Sequence, residues 1–445
     1  MRIVTHLAVL ALLGATAANA GDWPRFRGPG GTGVSPDKTP TPTKWSPTEN
    51  LKWKAKLPGA GVSCPIVVGD KVFVTCYSGY GVDRRNPGEM SNLKRHLVCV
   101  DRKSGKIVWD KSVKAVLPED PFRGAGVPEH GYASHTPVSD GKNVYVFFGK
   151  SGALAFDMEG NQLWQKSAGT GSDRMRWGSS SSPVLHKDLV IVTAGPESES
   201  IVAFDKKTGK QAWTQKIQGY SDLWGTPVLV KIDDGRTDLV IGVPGEIWAL
   251  NPENGKLRWY SPGVVGDQFN SSVVAVDKTI YAVQSGARGG GGSIAVKAGG
   301  KGDVSKSNVV WSGRQSSRFP TPVVYEGRLY VIANKTLTCI DAKSGNQVFR
   351  SRLQGGGAAA GGGRRGGRGR FGGGQDYSSP IIADGKIYYV ARGGDVYVLK
   401  AGKTYEQLAV NRVTADSEDF SATPAVSDGE LFFRSNRNLY CVAKK

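Results

Sequence analysis

The residues with the clearest capacity for chemistry form a short polar cluster in the segment PEHGYASHTP. Glu129, His130 and His135 are of types that ligate metals or transfer protons. Three such residues on one loop also fit solvated polar side chains, and this interpretation is favoured. The sequence has no EF-hand loop, P-loop, Cys-x-x-Cys pair or His-Glu-x-x-His helix. We therefore expect neither a metal site nor catalytic residues.

A second pattern pairs an aspartate with an aromatic ring at five places. The pairs are Asp173 with Trp177, Asp222 with Trp224, Asp267 with Phe269, Asp376 with Tyr377 and Asp419 with Phe420. Rings bury a large area at low entropic cost, so a collar of them could bind a peptide strand or a sugar. Alternatively, the aspartate fixes a turn and the ring packs between repeats. The candidate ligand-binding or partner-binding residues are His135, Trp177, Trp224, Phe269, Arg318, Tyr377 and Phe420.

A Gly/Arg-rich segment at residues 355–374 is a third candidate. It carries Arg364, Arg365, Arg368 and Arg370 among many glycines and alanines, in a chain of net charge +19. Such a segment cannot bury a core, so we expect a disordered loop. Its composition resembles RNA-binding segments, but a secretory signal argues against nucleic acid. Anionic glycans or lipid headgroups are the expected counterparts, and an inert insertion is the alternative.

The chain has five cysteines, which could be buried thiols or could form a disulfide. Cys99, Cys339 and Cys441 occupy a repeat position where other copies have alanine, so they are predicted to be small buried core residues. Cys64 and Cys76 are predicted to lie on adjacent strands, and a disulfide between them stays open.

These residues must be positioned by a repeated β-unit. A segment of the form Ser/Thr-Pro-Val-x-x-Asp-Gly-x-Val-Tyr-Val occurs eight times, mostly at spacings of 44 to 49 residues. A second segment, Asp-x-x-Ser/Thr-Gly-x-x-x-Trp, follows several copies, as in DRKSGKIVW. Spacing of this order is typical of four-stranded propeller blades. The sequence therefore predicts an all-β fold, an eight-bladed β-propeller over residues 51–445.

The chain ends and the long connections complete this architecture. The last segment, NLYCVAKK, lacks a fourth strand, and LKWKAKL around Trp53 is predicted to supply it and close the ring. Long loops at 78–95, 114–133, around Arg288 and at 355–374 join second to third strands or one blade to the next. They are therefore predicted to project from one face, which we nominate as the functional face.

The amino terminus has the pattern of an export signal. Arg2, an apolar run and a small-residue stretch ending at Ala20 predict a signal peptide over residues 1–20 and an extended leader over 21–50. The apolar run is too short to span a bilayer. We expect a secreted monomer, periplasmic or extracellular, without a transmembrane segment.

The paired segments resemble the pyrroloquinoline-quinone-like β-propeller repeats. These repeats are shared by quinoprotein dehydrogenases and by the propeller subunit of the outer-membrane β-barrel assembly machinery. The opening DWPRFRGPGGTGVS is similar to the leader of secreted planctomycete propellers. The resemblance implies either a protein-binding scaffold or a dehydrogenase that holds pyrroloquinoline quinone with calcium. Many such dehydrogenases carry two adjacent cysteines, and none of the five here are adjacent.

Three functions are therefore open. The favoured one is a non-catalytic scaffold in the cell envelope that binds proteins or exposed peptide strands, with no cofactor. A carbohydrate-binding or polyanion-binding propeller is the alternative. A quinone-dependent dehydrogenase is the second alternative, and it alone needs the quinone and Ca²⁺.

Overall fold

The computed structural model describes residues 21–124, 126–266, 268–285, 290–357 and 375–444. The strands in these residues form eight antiparallel sheets, each built on four strands in the order of a propeller blade. The predicted eight-bladed propeller is confirmed. Among the described residues, no helix is long and apolar enough to cross a membrane.

Each blade runs from the central channel outward, and the strands are numbered in chain order. The first two blades contain β2 (Ile66–Val68), β3 (Lys71–Ser78), β4 (Lys94–Asp101), β5 (Ile107–Lys114), β6 (Val138–Ser139), β7 (Asn143–Phe147), β8 (Ala153–Asp157) and β9 (Gln162–Lys166). Blades three and four contain β10 (Val184–His186), β11 (Leu189–Ala194), β12 (Ser200–Asp205), β13 (Gln211–Lys216), β14 (Val228–Lys231), β15 (Thr237–Val243), β16 (Glu246–Leu250) and β17 (Leu257–Pro262).

The second half of the ring follows the same plan. Blades five and six contain β18 (Val274–Val276), β19 (Thr279–Gln284), β20 (Gly292–Lys297), β22 (Val309–Gly313), β23 (Val323–Tyr325), β24 (Arg328–Ala333), β25 (Thr336–Asp341) and β26 (Gln347–Arg352). Blades seven and eight contain β27 (Ile381–Ala383), β28 (Lys386–Val390), β29 (Val396–Lys400), β30 (Gln407–Asn411), β31 (Ala425–Ser427), β32 (Glu430–Arg434), β33 (Asn438–Val442) and β1 (Leu51–Lys56). The short helices are α1 (Val127–His130), α2 (Gly195–Ser198) and α3 (Ser305–Asn308), with 3₁₀ turns at Pro29–Gly31, Met90–Asn92 and Gly149–Ser151.

A large ring on seven of the eight outer strands explains the second repeated segment. In seven blades the ring lies opposite a small residue of the third strand, and in most of them the strand pairing shifts by one residue just beyond it. Cysteine and alanine share this position because both are small enough to lie under the ring. The opposed pairs are Cys99 and Trp109, Ala155 and Trp164, Ala203 and Trp213, Ala249 and Trp259, Ala295 and Trp311, Cys339 and Phe349, and Cys441 and Trp53.

The same rings join neighbouring blades. The indole N–H of Trp53 donates to the carbonyl of Arg102 at 2.8 Å, in the outer turn of the next blade. Gly105 of that turn has a φ of 73°, and a Cβ there would lie 2.6 Å from the Trp53 ring. Glycine is therefore required twice over, by the backbone conformation and by the ring above it.

The two ends of the chain close the ring as predicted. Strand β1 pairs with β33, with Trp53 opposite Cys441 and Lys56 opposite Asn438. Blade eight therefore takes its outer strand from the amino-terminal side of the chain. This pairing leaves no blade with only three strands.

The connections define two faces of the disc. Loops between second and third strands, and between successive blades, lie on what we call the elaborated face. The loops at 78–95 and 114–133 lie there as predicted. Arg288 and residues 358–374 lie outside the described residues, so their placement stays a prediction. One elaboration is on the other side. Between β20 and β22, β21 (Gly302–Asp303) pairs with β17 and covers Trp259, so the predicted confinement of insertions to one face is incomplete.

The leader, residues 21–50, lies on the opposite side, and we call that side the leader face. Trp23 pairs by its backbone with Val67 of blade one, and Val34 pairs with Ile382 of blade seven. Arg27 is 1% exposed and donates to the carbonyls of Thr321, Pro322 and Pro380. The leader therefore crosses the inner strands of several blades, and it turns the central channel into a funnel that opens on the elaborated face.

The cysteines are all free thiols and all buried. Cys99, Cys339 and Cys441 lie under the outer-strand rings, as predicted for core residues. Cys64 and Cys76 do not form a disulfide. The guanidinium of Arg434 lies 3.5 Å from Cys76 Sγ and also donates to the carbonyl of Ser63.

Candidate functional site

Eight residues around the channel form a closed ring of hydrogen bonds. Each stands just before the proline of the first repeated segment, or before Val273 in the one copy without that proline, and each belongs to a different blade. Its backbone N–H donates to the side-chain oxygen or sulfur of the matching residue in the next blade, at 2.9 to 3.2 Å. In order, the ring contains Cys64, Thr136, Ser182, Thr226, Ser272, Thr321, Ser379 and Thr423.

Cys64 completes this ring with a thiol in place of a hydroxyl. The backbone N–H of Thr423 donates to Cys64 Sγ at 3.2 Å, and the N–H of Cys64 donates to Thr136 Oγ1 at 2.9 Å. The sequence contained a signal for the ring, because serine or threonine stands at this position in seven of the eight copies of the first repeated segment. Its role was missed because each bond joins two different blades.

The ring lies at the base of a funnel with a cavity volume of about 200 Å³. Two aromatic pairs form parts of its wall. The Trp177 and Trp224 rings lie 5.8 Å apart, and the Phe319 and Tyr377 rings lie 4.4 Å apart. Phe26 of the leader is a further lining residue. The wall thus offers flat apolar surfaces above a polar base.

The sequence-predicted site residues divide into two groups. Trp177, Trp224, Arg318 and Tyr377 line the funnel. Their binding role stays a prediction, but the structure brings them together from four different loops. The polyanion-binding candidates Arg364, Arg365, Arg368 and Arg370 lie outside the described residues.

The other three candidates lie elsewhere. Phe269 and Phe420 are each 1% exposed, with Phe269 against Gly242 and Phe420 beside Tyr440. His135 is 3% exposed and is not among the funnel-lining residues. The Phe269 and Phe420 rings belong to the hydrophobic core, and the His135 ring lies 5.0 Å from the Phe147 ring.

One aspartate of the recurrent pairs, Asp173, fixes the loop that presents its ring. Asp173 accepts hydrogen bonds from the backbone N–H groups of Met175, Trp177 and Gly178. Burial raises the pKa of Asp173 despite these bonds. Asp267 lies outside the described residues. For Asp173, therefore, the aspartate shapes a turn and the ring it presents still reaches the funnel.

The mouth of the funnel carries a network of charges. Glu129 is bound by Arg84 and by Arg392, whose Nη1 lies 2.8 Å from Glu129 Oε2. Burial opposes the charged carboxylate, but the two guanidinium groups outweigh it and lower the pKa of Glu129. Arg392 also pairs with Asp419 and lies over the Tyr377 ring. This network holds α1 against blade seven across the mouth.

The polar cluster singled out in the sequence is dispersed by these contacts. His130 Nε2 lies 2.7 Å from the carbonyl of Trp177, and burial lowers the pKa of His130. Burial keeps the pKa of His135 well below its ordinary value. Both imidazoles are therefore neutral at pH 7. Within the described ranges, no three His, Cys, Asp or Glu side chains are grouped so that they could hold a metal ion.

A second, smaller polar cavity lies behind Trp177. His135 Nε2 lies 2.9 Å from Ser179 Oγ, and the Ser179 hydroxyl donates to Glu197. Glu197 is 5% exposed, and burial raises its pKa to about 7. Two ion pairs line the same cavity, Arg95 with Glu119 and Lys150 with Asp120. Within each pair the positive and negative charges neutralise each other. Glu197 is thus a buried acid for which the described residues provide no ion-pair partner.

The chain matches the model of a known protein family. The family model described as outer membrane protein assembly factor BamB matches residues 16–261, 197–401 and 291–444. Among curated relatives, the outer membrane protein assembly factor BamB of Burkholderia pseudomallei is 25% identical over 51% of this chain and 50% of its own length. Quinoprotein alcohol dehydrogenase PedH of Pseudomonas putida is 31% identical over 35% of this chain and 27% of its own length. The chain therefore spans about half or less of the length of these relatives.

Solved structures share the fold at low identity. BamB from Moraxella catarrhalis has a TM-score of 0.57 at 12% identity, covering 88% of this chain and 99% of that one. A europium-containing methanol dehydrogenase has a TM-score of 0.63 at 13% identity, covering 95% and 98%. The same architecture therefore serves an assembly factor and an enzyme, and the fold alone does not decide between them.

Proposed function

The chain belongs to the family of the outer membrane protein assembly factor BamB, and on this basis we propose that it is a non-catalytic scaffold of the bacterial cell envelope. It binds segments of other envelope proteins in the funnel on its elaborated face. The observation that carries the proposal is the wall of the funnel, where Trp177, Trp224, Phe319 and Tyr377 offer flat surfaces from four loops.

These walls suit a protein ligand for physical reasons. Aromatic side chains in a partly enclosed site are the residues that contribute most to protein–protein affinity. Contacts between neighbouring loops hold the rings in place: the Trp224 indole N–H donates to the carbonyl of Gly178 at 2.7 Å, and the Trp177 and Trp224 rings lie 5.8 Å apart. Little side-chain entropy is lost on binding when the rings are already ordered.

The dehydrogenase alternative has less support at the funnel. Its Ca²⁺ would need several oxygen ligands, and an acid–base reaction would need a carboxylate free to take a proton. Glu129 is the one acid among the described lining residues, and two arginines hold it. The donor set therefore does not fit a calcium-bound quinone. Aromatic walls do also suit sugars, so the carbohydrate alternative is kept as an outcome of the test.

Photocrosslinking from the two faces tests the proposal. A benzophenone amino acid is placed at Gln375, on the funnel wall, or at Lys38, on the exposed part of the leader face. After irradiation in intact envelopes, we expect protein adducts from position 375 and few from position 38. Adducts from position 38 alone would contradict the proposal, and glycan adducts without protein would favour the carbohydrate alternative.

A further inference from the structure

Three arginines lie close to the ring residues at the base of the funnel, and none of them has a carboxylate partner among the described residues. Arg27 and Arg434 are each 1% exposed, and Arg25 is partly buried. Within the described part of the chain, the three side chains bond to carbonyls, to Ser63 Oγ and to a thiol, and none pairs with an acid. Burial lowers the pKa of Arg27 to about 9 and that of Arg25 to about 10, so both are charged at pH 7.

Two of these charges lie directly under the hydroxyl ring. Arg25 and Arg27 flank Phe26, the leader residue that lines the funnel. Arg25 Nη2 lies 3.4 Å from the carbonyl of Pro227, just after a ring residue, and Arg27 Nη1 lies 3.3 Å from the carbonyl of Thr321, itself a ring residue. Buried cations without counter-ions leave a positive potential at the nearest cavity.

The ring adds hydrogen-bond donors at the same place. Five ring hydroxyls accept a backbone N–H, yet their own hydrogens meet no acceptor among the described residues. An anion at the base could accept from them at little cost, since hydroxyls rotate freely to suit a ligand. The five residues are Ser182, Thr226, Ser272, Thr321 and Ser379.

The wall of the funnel also carries a guanidinium group. Arg318 lies over the Phe319 ring at 5.0 Å and is a lining residue. Glu129, the acid of the described lining, is neutralised by Arg84 and Arg392. Among the described lining residues, the ion-paired Glu129 is therefore the one acid that an anionic group would meet.

We propose that the base of the funnel binds the terminal carboxylate of a polypeptide, whose last side chains pack between the aromatic pairs. The far end of the channel is crossed by the leader, so a polypeptide cannot thread through. A chain end can reach the base, and the carboxyl end is the one with negative charge. Hydrogen-bond donors gathered around a carboxylate are a known mode of chain-end recognition. The inference rests on the proposed function, because it names the part of the partner that enters the funnel.

Fluorescence anisotropy with a synthetic hexapeptide tests this assignment. The peptide carries an amino-terminal dye, ends in leucine and is prepared with a free carboxyl end or with an amide. We expect the amide to bind at least tenfold more weakly, because it loses charge-assisted hydrogen bonds. Arg25→Gln should weaken the free-acid peptide severalfold and leave the amide unchanged. Arg437→Gln, at an exposed position on the elaborated face, is the control for loss of one surface charge and should change neither.

The outcomes separate the inference from the proposed function. Equal binding of the acid and the amide would overturn the carboxylate site and leave the scaffold proposal standing. Failure of both peptides to bind would count against the funnel as a peptide site altogether. If glucuronate displaced the peptide as well as the unlabelled free-acid peptide did, the assignment to a chain end would be overturned.

Discussion

Replacing Trp53 with alanine is expected to lower the free energy of unfolding by about 4 kcal/mol, as for other large buried rings. The ring is 8% exposed, lies opposite Cys441 and donates to the carbonyl of Arg102. It therefore joins both ends of the chain to the next blade. Urea denaturation followed by tryptophan fluorescence and circular dichroism measures the effect.

The control at this position is Trp53→Phe. Blade six has Phe349 at the equivalent place, opposite Cys339, so a phenyl ring fits the site. We expect the phenylalanine variant to lose less than half as much as the alanine variant. A loss of under about 1 kcal/mol for Trp53→Ala would mean that the pairing of β1 with β33 contributes little to the closed ring.

The second prediction concerns Glu197, whose titration is expected to make the free energy of unfolding depend on pH. Burial raises its pKa from 4.5 to about 7, with Glu119 adding to the shift. Between these values the unfolded chain releases the proton while the folded protein keeps it. The contribution of Glu197 to stability is therefore fully present below pH 4.5 and is lost as the pH rises through 7, by about 3 kcal/mol in all.

The variant Glu197→Gln removes this titration. We expect its free energy of unfolding to change less between pH 5 and pH 8 than that of the wild-type protein, with a difference of about 2.5 kcal/mol due to residue 197. Glu159→Gln, at an exposed position, serves as the control and should follow the wild-type protein. Parallel curves for the wild-type protein and Glu197→Gln would show that Glu197 is ionised in the fold with a compensating partner.

The blades could be predicted because their determinants are local. The turn glycine needs a positive φ, and the outer ring needs a small residue opposite, so each repeat shows its own structure within about 45 residues. The pairing of Trp53 with the last strand followed from counting: one strand was missing at one end of the chain and present at the other. Trp177, Trp224 and Tyr377 could be predicted to lie at the channel because the aspartate–ring pattern marks the loops that lead into the inner strands.

The rest depends on contacts between distant parts of the chain. The leader has no periodicity that indicates pairing, and Trp23 meets Val67 through backbone bonds that any residue could make. Phe269 and Phe420 share the pattern of Trp177, and only the path of each loop decides which ring is buried. Glu197 lies in the segment PESES, which has the composition of a solvated turn, yet it is buried in the cavity lined by Glu119 and Lys150.

The most direct test of the funnel as the partner site is capture from an envelope extract by the double variant Trp224→Ala, Tyr377→Ala. The control is Val348→Ala, which removes an exposed side chain on an outer strand. We predict that the double variant, folded by circular dichroism, loses at least tenfold in capture of the envelope proteins that the wild-type protein and the control retain. Equal capture of the same proteins by all three would contradict the account.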